Sequence, residues 1–371
     1  MRKRYRLLFM IIMVMALGFG YLHLFVSGTH NFERLHVFLF NLTCGGTSIL
    51  YYIENGKRMS VRVQGFLALS VVFAVLAWLE LFIPAALCGL ALAIIADTVR
   101  RDVFSFFPKE FFASGYTTST RFAHASVLCL VLALLVSVGV ILNNAWLHLF
   151  TLDTLSIDTF FLGFSFPVSL ITMSVMFSLI PDLKTPLMKA ASLFAFWAVN
   201  LGVIVFFLFI VAGKLWPQVA VTVVLFFTVI LIFILFVKYV KELQQKSFLV
   251  SGMLFLLYTA ITGIAYILLE IMSDGYLRWG DLLLRLHAVA ALYGWNLSGL
   301  AVIYRRYDFP IRMNSRQLIA GHWLLVGVAV PLGDAFPLMA GVATAGYGIF
   351  LLLMFFSGKL PHGDENSPVI A

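Results

Sequence analysis

Apolar residues run along almost the whole chain in blocks of about 20, the length that an α-helix needs to cross a bilayer, and short polar stretches separate the blocks. The pattern predicts twelve membrane-spanning helices, over 6–26, 35–53, 64–81, 83–99, 121–143, 155–180, 188–212, 216–240, 247–272, 281–304, 317–332 and 335–356. The third and fourth blocks touch at "ELFIPAAL" and the last two at "PLGDAFPL", so these boundaries are the least defined. We expect residues 1–356 to form one all-α transmembrane domain and the polar tail 357–371 to be disordered.

The first block follows a basic head, "MRKRYR", as the core of a secretory signal would. Its apolar run is longer than a signal-peptide core, and no small-x-small cleavage motif follows it. We interpret it as a retained first span.

The composition agrees with an integral membrane protein, because 62% of the residues are hydrophobic and only 11% are charged. The net charge of +8 could indicate a nucleic-acid partner, but the basic residues are spread over short loops rather than clustered on one surface. The expected partner is the lipid bilayer. The cysteines Cys44, Cys88 and Cys129 lie inside apolar stretches and fit packing positions better than a disulfide framework.

The basic residues also predict the orientation of the chain. All but four of the 25 Lys and Arg residues fall on one side of the predicted spans; the exceptions are Arg34, Lys214, Arg278 and Arg285. Because short cytoplasmic loops retain Lys and Arg, we expect both termini to be cytoplasmic, in a cell inner membrane.

Two of these four arginines belong to a repeated triplet, Arg-Leu-His, at 34–36 and 285–287. Both copies open even-numbered spans, so His36 and His287 are expected at equal depth near the outer face. Coordinating side chains within spans face the bundle interior by default, and two imidazoles from different helices can supply both axial ligands of a heme iron. Hydrogen bonding of each histidine to a nearby loop is the alternative.

Small residues follow both triplets, in "LTCGGTS" at 42–48 and "LYGWNLSG" at 292–299, and they suit either a macrocycle or close helix packing.

Arg34 and Arg285 lie about 200° round their helices from the histidines. Their side chains can reach the interface, where they could bind heme propionates or lipid phosphates.

A chain of twelve predicted spans with His36 on the second and His287 on the tenth resembles the heme-copper oxidase subunit I superfamily, which includes the nitric oxide reductases. The resemblance covers the architecture of nearly the whole chain, and its motif content is limited to these two residues. It implies an oxidase-like bundle in which both histidines ligate one low-spin heme, of b-type or another type. Such an iron suits electron transfer with a quinol or cytochrome partner, or a redox accessory role linked to nitrogen-oxide stress.

The chain departs from that family at its catalytic centre. The tenth helix of the family carries a His-x-His pair whose first member binds the high-spin heme, and here that position is Arg285. The copper-binding histidines of the sixth and seventh helices are missing from "GFSFPVSLITM" at 163–173 and "LFAFWAVNLG" at 193–202. Since copper needs imidazole or thiolate ligands, we expect no copper centre and no terminal-oxidase activity. Reduced members, such as the NnrS-type proteins associated with nitric oxide tolerance, are the nearest match.

The remaining histidines form two groups. His23, His30 and His148 lie on the outer side, where a metal site would lack a suitably spaced carboxylate or cysteine. His124 and His322 lie on the cytoplasmic side, where they fit packing, a second bis-histidine site or a proton entry.

The competing hypothesis is a heme-free transporter or assembly factor on the same fold. The sequence has no pair of broken helices of the kind that inverted-repeat transporters use, although Pro167 could kink the sixth span.

Overall fold

The structure, a computed structural model, describes residues 1–26, 31–54, 58–149, 153–181, 185–241, 244–272, 276–309 and 311–358. Within these ranges the chain is built from helices that follow the predicted apolar blocks. They are α1 (Lys3–Tyr21, extended by a 3₁₀ turn, Leu22–Leu24), α2 (Phe32–Val37, Phe38–Gly46 and Thr47–Ile53), α3 (Val61–Trp78), α4 (Phe82–Val103), α5 (Thr118–Leu142, extended by Asn143–Leu147), α6 (Asp153–Leu179), α7 (Pro186–Val211), α8 (Leu215–Tyr239), α9 (Gln244–Ile271), α10 (Tyr276–Val289, Ala290–Asn296 and Leu297–Arg305), α11 (Arg316–Leu324, Leu325–Ala329 and Val330–Ala335) and α12 (Pro337–Phe356).

Ten helices in the described ranges are long and apolar enough to cross a bilayer. The two outside this set are α2 and α6, of which α6 has a shorter apolar part, Gly163–Leu179. The prediction of a helical multi-pass membrane protein is therefore confirmed at this level.

Local sequence signals set the helix ends. Asn31, Ser60, Thr117 and Thr185 cap α2, α3, α5 and α7, each accepting a hydrogen bond from the backbone N–H three residues later. The uncertain boundary at "ELFIPAAL" is a three-residue break between α3 and α4, where Glu80 has a positive φ of 58°. Left-handed backbone cannot continue a helix, so the two helices separate there.

Among the ten long apolar helices α10 is the most buried, and α2, which is not one of the ten, is buried along all of residues 35–51. In the most apolar stretch of α10 72% of the residues are buried, against 22% in α7. Helix α6 packs against both α2 and α10, whereas α7 and α8 pack on each other and α1 packs on α12. Residues 35–51 of α2, 170–177 of α6 and 292–305 of α10 are therefore surrounded by protein, as a cofactor or ligand site inside a membrane requires, whereas His287 near the start of α10 is only partly buried.

Both helices that carry the Arg-Leu-His triplet change to π-helix just after it. The π-helical segments are Phe38–Gly46 in α2, two residues after His36, and Ala290–Asn296 in α10, three residues after His287. Segments of this kind are rare, usually one turn long, and concentrated at functional sites. The repeated triplet is thus matched by a repeated departure from α-helical geometry, which the sequence analysis did not predict.

Candidate functional site

His36 lies in the second turn of α2 with only 8% of its surface exposed. Its Nδ1 is 2.8 Å from the carbonyl oxygen of Ala16 on α1. Gly20, one turn further along α1, lies against the ring, and a Cβ at that position would be 3.1 Å from Nδ1. A close approach by α1 therefore fixes the orientation of the imidazole.

His287 has the same two kinds of neighbour as His36, a backbone carbonyl and a glycine, and both lie on α9. Its Nδ1 is 2.9 Å from the carbonyl oxygen of Thr259 on α9. Gly263, also one turn further along, lies against the ring, and a Cβ there would be 3.0 Å from both Nδ1 and Cε1. Each histidine thus uses Nδ1 for a backbone carbonyl of a neighbouring helix and packs against a glycine on that helix.

The hydrogen bonding of the two imidazoles is compatible with ligation of a metal by each ring. A histidine that ligates a metal usually donates its other ring N–H to a carbonyl or carboxylate, which fixes the tautomer and leaves one nitrogen for the metal. With Nδ1 as the donor in both His36 and His287, the ligating atom on each ring would be Nε2.

Tyr293, on the π-helical segment of α10, links the two triplet helices. Its hydroxyl is 3.1 Å from Nδ1 and 3.4 Å from Nε2 of His36, and its ring lies 5.1 Å from the rings of Phe40 and Tyr347. The contact between α10 and His36 therefore runs through Tyr293, six residues after His287. The sequence analysis missed this residue, although a polar side chain next to the small residues that follow the second triplet could have indicated it.

The side chains of Arg285 and His287 lie on different faces of α10. The Arg285 guanidinium is half exposed and lies 3.9 Å from the Asp334 carboxylate on α11, whereas His287 faces α9. The Arg34 backbone N–H donates to the capping side chain of Asn31 at 2.8 Å, and its side chain is partly exposed. The predicted divergence of Arg and His is confirmed for the second triplet, and Asp334 is a partner that the sequence analysis missed.

His322 is a packing residue of the core rather than an interfacial one. It is fully buried, its Nε2 is 2.6 Å from the carbonyl oxygen of Tyr293, and its ring stacks on Phe350 at 4.8 Å. Since a π-helical segment leaves backbone carbonyls without their usual partners, His322 satisfies one of them.

His124 is also fully buried and joins an ionic network on α4 and α5. Its Nδ1 is 3.2 Å from the Glu110 carboxylate and its Nε2 is 3.3 Å from the Arg100 guanidinium. His124 and His322 thus have different protein partners, and both are packed among helices, which we gave as one alternative, although Nδ1 of each has no hydrogen-bond partner among the described residues.

The outer-side histidines have separate surroundings as well. His23 is exposed, with Nδ1 2.8 Å from the carbonyl oxygen of Gly20, and His148 ends the helical extension of α5 in a left-handed conformation. His30 lies outside the described residues. No group of three or more His, Cys, Asp or Glu side chains converges anywhere in the part of the chain that the structure describes.

The interior of the site also contains polar side chains without a hydrogen-bond partner among the described residues. The buried atoms without a partner include Nδ2 and Oδ1 of Asn41, the Tyr347 hydroxyl and Oδ1 of Asn296. Asn296 donates its amide N–H to the Ser165 hydroxyl on α6 at 3.0 Å. Buried polar atoms of this kind need a partner such as water or a ligand, and they cluster on the two π-helical segments and the helix beside them.

A groove of about 740 Å³ runs between α1 and α12. Its walls are mainly small or apolar residues, among them Gly18, Tyr21, Gly341 and Gly348. The Tyr21 hydroxyl donates to the carbonyl oxygen of Val330 at 2.8 Å, which ties α1 to α11 at the end of the groove.

No protein-family model, curated protein or solved structure matches this chain. Its function is therefore inferred from its own residues and their geometry.

Proposed function

We propose that this chain is a twelve-span inner-membrane protein that binds one low-spin heme through His36 and His287 and transfers electrons. The observation that carries the proposal is the matched anchoring of the two rings, with Nδ1 of each on a backbone carbonyl of a neighbouring helix. A distant relationship to the heme-copper oxidase subunit I superfamily, in a reduced form without copper or high-spin heme, belongs to the same proposal.

The topology in this proposal has α2 and α6 as spans besides the ten long apolar helices, and both termini on the cytoplasmic side. It is supported by the distribution of Lys and Arg, which places all but Arg34, Lys214, Arg278 and Arg285 on one side. Under this topology both triplets open spans from the outer face.

In the proposed site, the heme supplies a one-electron iron couple, and the chain supplies its position and surroundings. The carbonyls of Ala16 and Thr259 hold the ring orientations, and Gly20 and Gly263 leave room for the rings. Because an Nδ1–H···O=C bond makes Nε2 a better ligand, these backbone groups would raise the affinity for iron.

Arg34 and Arg285 would bind the heme propionates at the outer end of the site, where a guanidinium fork suits a carboxylate. Asp334, which lies near Arg285, would orient that side chain. The electron partner is of the quinol or cytochrome class, since an iron with two protein ligands exchanges electrons without binding substrate.

The optical spectrum tests the heme. Protein expressed with ample heme and purified is expected to show a Soret band and, when reduced, the sharp visible bands of a low-spin iron. His36→Ala and His287→Ala should each abolish the low-spin spectrum. His23→Ala is the matched control, because His23 also has Nδ1 on a helix carbonyl but lies exposed. Absence of a Soret band, or unchanged spectra in both variants, would refute the heme proposal.

A heme-free membrane transporter or assembly factor is a second candidate, and one contact favours it. The Tyr293 hydroxyl lies within hydrogen-bond distance of His36, so a protein group already occupies one side of the imidazole. In this case His36 and Tyr293 form a structural bond between α2 and α10. Tyr293→Phe would then lower thermal stability in heme-free preparations, and heme supplementation would change neither the spectrum nor the stability of the wild-type protein.

A further inference from the structure

The segment 104–117, between α4 and α5, folds back along the bundle instead of projecting from it. Phe112 lies 5.2 Å from Trp197 on α7, ring to ring. Trp197 is eleven residues after Pro186, where α7 begins, and therefore about 16 Å along that helix. The segment also contacts Arg121 and His124, in the first two turns of α5.

Trp197 lies within α7, which is long and apolar enough to cross a bilayer, so an irregular segment beside it would face lipid as well as protein, and lipid cannot satisfy backbone carbonyls. Two buried arginines satisfy several of them. Arg100 donates to the carbonyl oxygens of Ser105 and Phe106, both at 3.1 Å. Arg121 donates to those of Glu110 at 3.1 Å and Ala113 at 2.7 Å.

A buried carboxylate completes the interior of the segment. Glu110, only 3% exposed, accepts bonds from the Ser105 N–H at 2.8 Å and the Ser105 hydroxyl at 2.6 Å. It also faces His124, whose ring stacks on Phe104 at 4.5 Å. The charged groups of this network therefore point inward, toward α4 and α5.

The outer surface of the same segment is aromatic. Phe106, Phe107 and Phe112 are 64%, 76% and 74% exposed. Lys109 is exposed between them, and Arg101 is exposed at the end of α4, where Asp97 holds it at 2.8 Å. Phenylalanine beside Lys and Arg is the combination found in elements that lie in the membrane interface, with the rings among the acyl chains and the cations at the phosphates.

We infer that segment 104–117 is a lipid-binding element inserted into one leaflet of the bilayer. Phe106, Phe107 and Phe112 enter the acyl region, and Lys109 and Arg101 bind the phosphates of anionic phospholipids. The inward network of Arg100, Arg121 and Glu110 is what allows this segment, which is irregular apart from the 3₁₀ turn Lys109–Phe111, to lie at lipid depth. The inference is independent of heme binding and of which side of the membrane is cytoplasmic.

Depth measurements in phosphatidylethanolamine–phosphatidylglycerol nanodiscs test the insertion. Phe107→Cys is compared with Leu187→Cys, which is 80% exposed in the first turn of α7 and lies about 15 Å from Trp197 toward the helix end. Both variants carry Cys88→Ala and Cys129→Ala, and buried Cys44 is retained. Nanodiscs leave both faces of the membrane open to reagents, so orientation does not affect the result.

The new thiol of Phe107→Cys is expected to react about tenfold more slowly with a water-soluble maleimide than that of Leu187→Cys. A tenfold difference corresponds to about 1.4 kcal/mol, which is less than the free energy of transferring one large apolar side chain from water to an apolar environment. A nitroxide attached at position 107 should be more accessible to oxygen than to a nickel chelate, and one attached at position 187 should show the reverse. Equal maleimide rates would place the segment in water and overturn the inference. Low access of both oxygen and nickel at position 107 would also overturn it, because protein rather than lipid would then cover the surface.

The anionic-lipid contact has its own test. Lys109→Gln combined with Arg101→Gln is expected to reduce the phosphatidylglycerol that stays bound in native mass spectrometry. The control is Lys238→Gln combined with Lys241→Gln, which removes the same charge at the end of α8. An equal loss of lipid in the control would show that total charge, and not this segment, retains the phospholipid.

Discussion

At the scale of single residues, the most restrictive feature of the candidate site is the space that glycine leaves for each histidine. In Gly263→Ala the new Cβ would lie 3.0 Å from Nδ1 and Cε1 of His287, closer than normal packing allows. We expect the imidazole to move off the Thr259 carbonyl and the protein to lose about 1–3 kcal/mol of stability. Thermal unfolding in detergent measures the loss, and a heme-loaded sample should also show a shifted reduction potential.

The matched control is Gly139→Ala in α5, where no heavy atom lies within 4 Å of an added Cβ. That variant should be neutral or stabilised by about 0.5–1 kcal/mol, because alanine favours helix. If Gly263→Ala behaved like Gly139→Ala, the ring of His287 would not be held by α9.

The charge of Glu110 gives a second prediction for a single residue. Burial disfavours the ionised carboxylate, but the hydrogen bonds from the side chain and backbone of Ser105 outweigh it and lower the pKa of Glu110 to about 2 from its usual 4.5. His124 on α5 faces this carboxylate, with Nδ1 3.2 Å from it, and Arg100 on α4 contacts Nε2 of the same imidazole. Since the folded pKa lies below the unfolded one, the stabilisation is complete above pH 4.5 and is lost as the pH falls toward 2.

Hydrogen exchange of the Ser105 amide, which donates to Glu110 at 2.8 Å, measures this effect. After correction for intrinsic exchange rates, its protection should be constant from neutral pH down to about 4.5 and then decline toward about pH 2. In Glu110→Gln the protection should be weak and independent of pH. Protection in the wild-type protein that did not change over this whole range would contradict the role of the carboxylate.

At the scale of elements, hydropathy was enough to predict where the helices lie, because each apolar block has a polar stretch or a capping residue at its ends. Asn31 and Ser60, for example, begin α2 and α3. The break at Glu80 could be placed only approximately, since a positive φ in a non-glycine residue has no hydropathy signal. The fold-back of segment 104–117 was not predicted either, because its hydrogen bonds pair Arg100 and Arg121 with backbone carbonyls, which have no sequence signature.

The candidate site shows the same limit. The repeated triplet singled out His36 and His287, but the helices that orient them were found only in the structure, through Ala16 and Thr259. A π-helical segment depends on which carbonyl each N–H bonds, and apolar residues such as Ala290 and Leu292 fit α- and π-helix equally well. The position of Tyr293 opposite His36 follows from that segment and was missed with it.

The π-helical segment of α10 makes a prediction about register. Deleting Ala291 from the segment would turn His287 by about 100° relative to Leu297–Arg305 if the helix closed into α-helical register. His287 would then lose the Thr259 carbonyl, while the buried C-terminal part of α10 keeps its packing. We expect a folded protein, by size-exclusion chromatography and circular dichroism, that has lost the low-spin heme spectrum. Ala291→Ser, which keeps the register, should retain it. A deletion variant with an unchanged spectrum would mean that the segment does not position His287.

At the scale of the whole molecule, the proposed site and the lipid-binding segment would lie near opposite faces of the membrane. In the proposed topology the triplets are near the outer ends of α2 and α10, and segment 104–117 joins the cytoplasmic ends of α4 and α5. The proposed electron transfer and the proposed lipid anchoring would therefore use different helices. Changes in segment 104–117 should leave a heme spectrum intact, which separates the two proposals experimentally.

The side on which each loop lies depends on whether α2 and α6 cross the membrane, and three reporter fusions decide this. With twelve spans, a fusion after Gly115 or Ser357 should be fluorescent with green fluorescent protein and inactive with alkaline phosphatase, and a fusion after Leu149 should show the reverse. If α2 alone did not cross, the results at Gly115 and Leu149 would exchange and Ser357 would become external. Arg100, Arg101 and Lys109 would then lie outside, against the retention of basic residues in the cytoplasm. If α6 alone did not cross, only the result at Ser357 would change. If neither crossed, Gly115 and Leu149 would exchange while Ser357 stayed cytoplasmic, so each outcome identifies one topology.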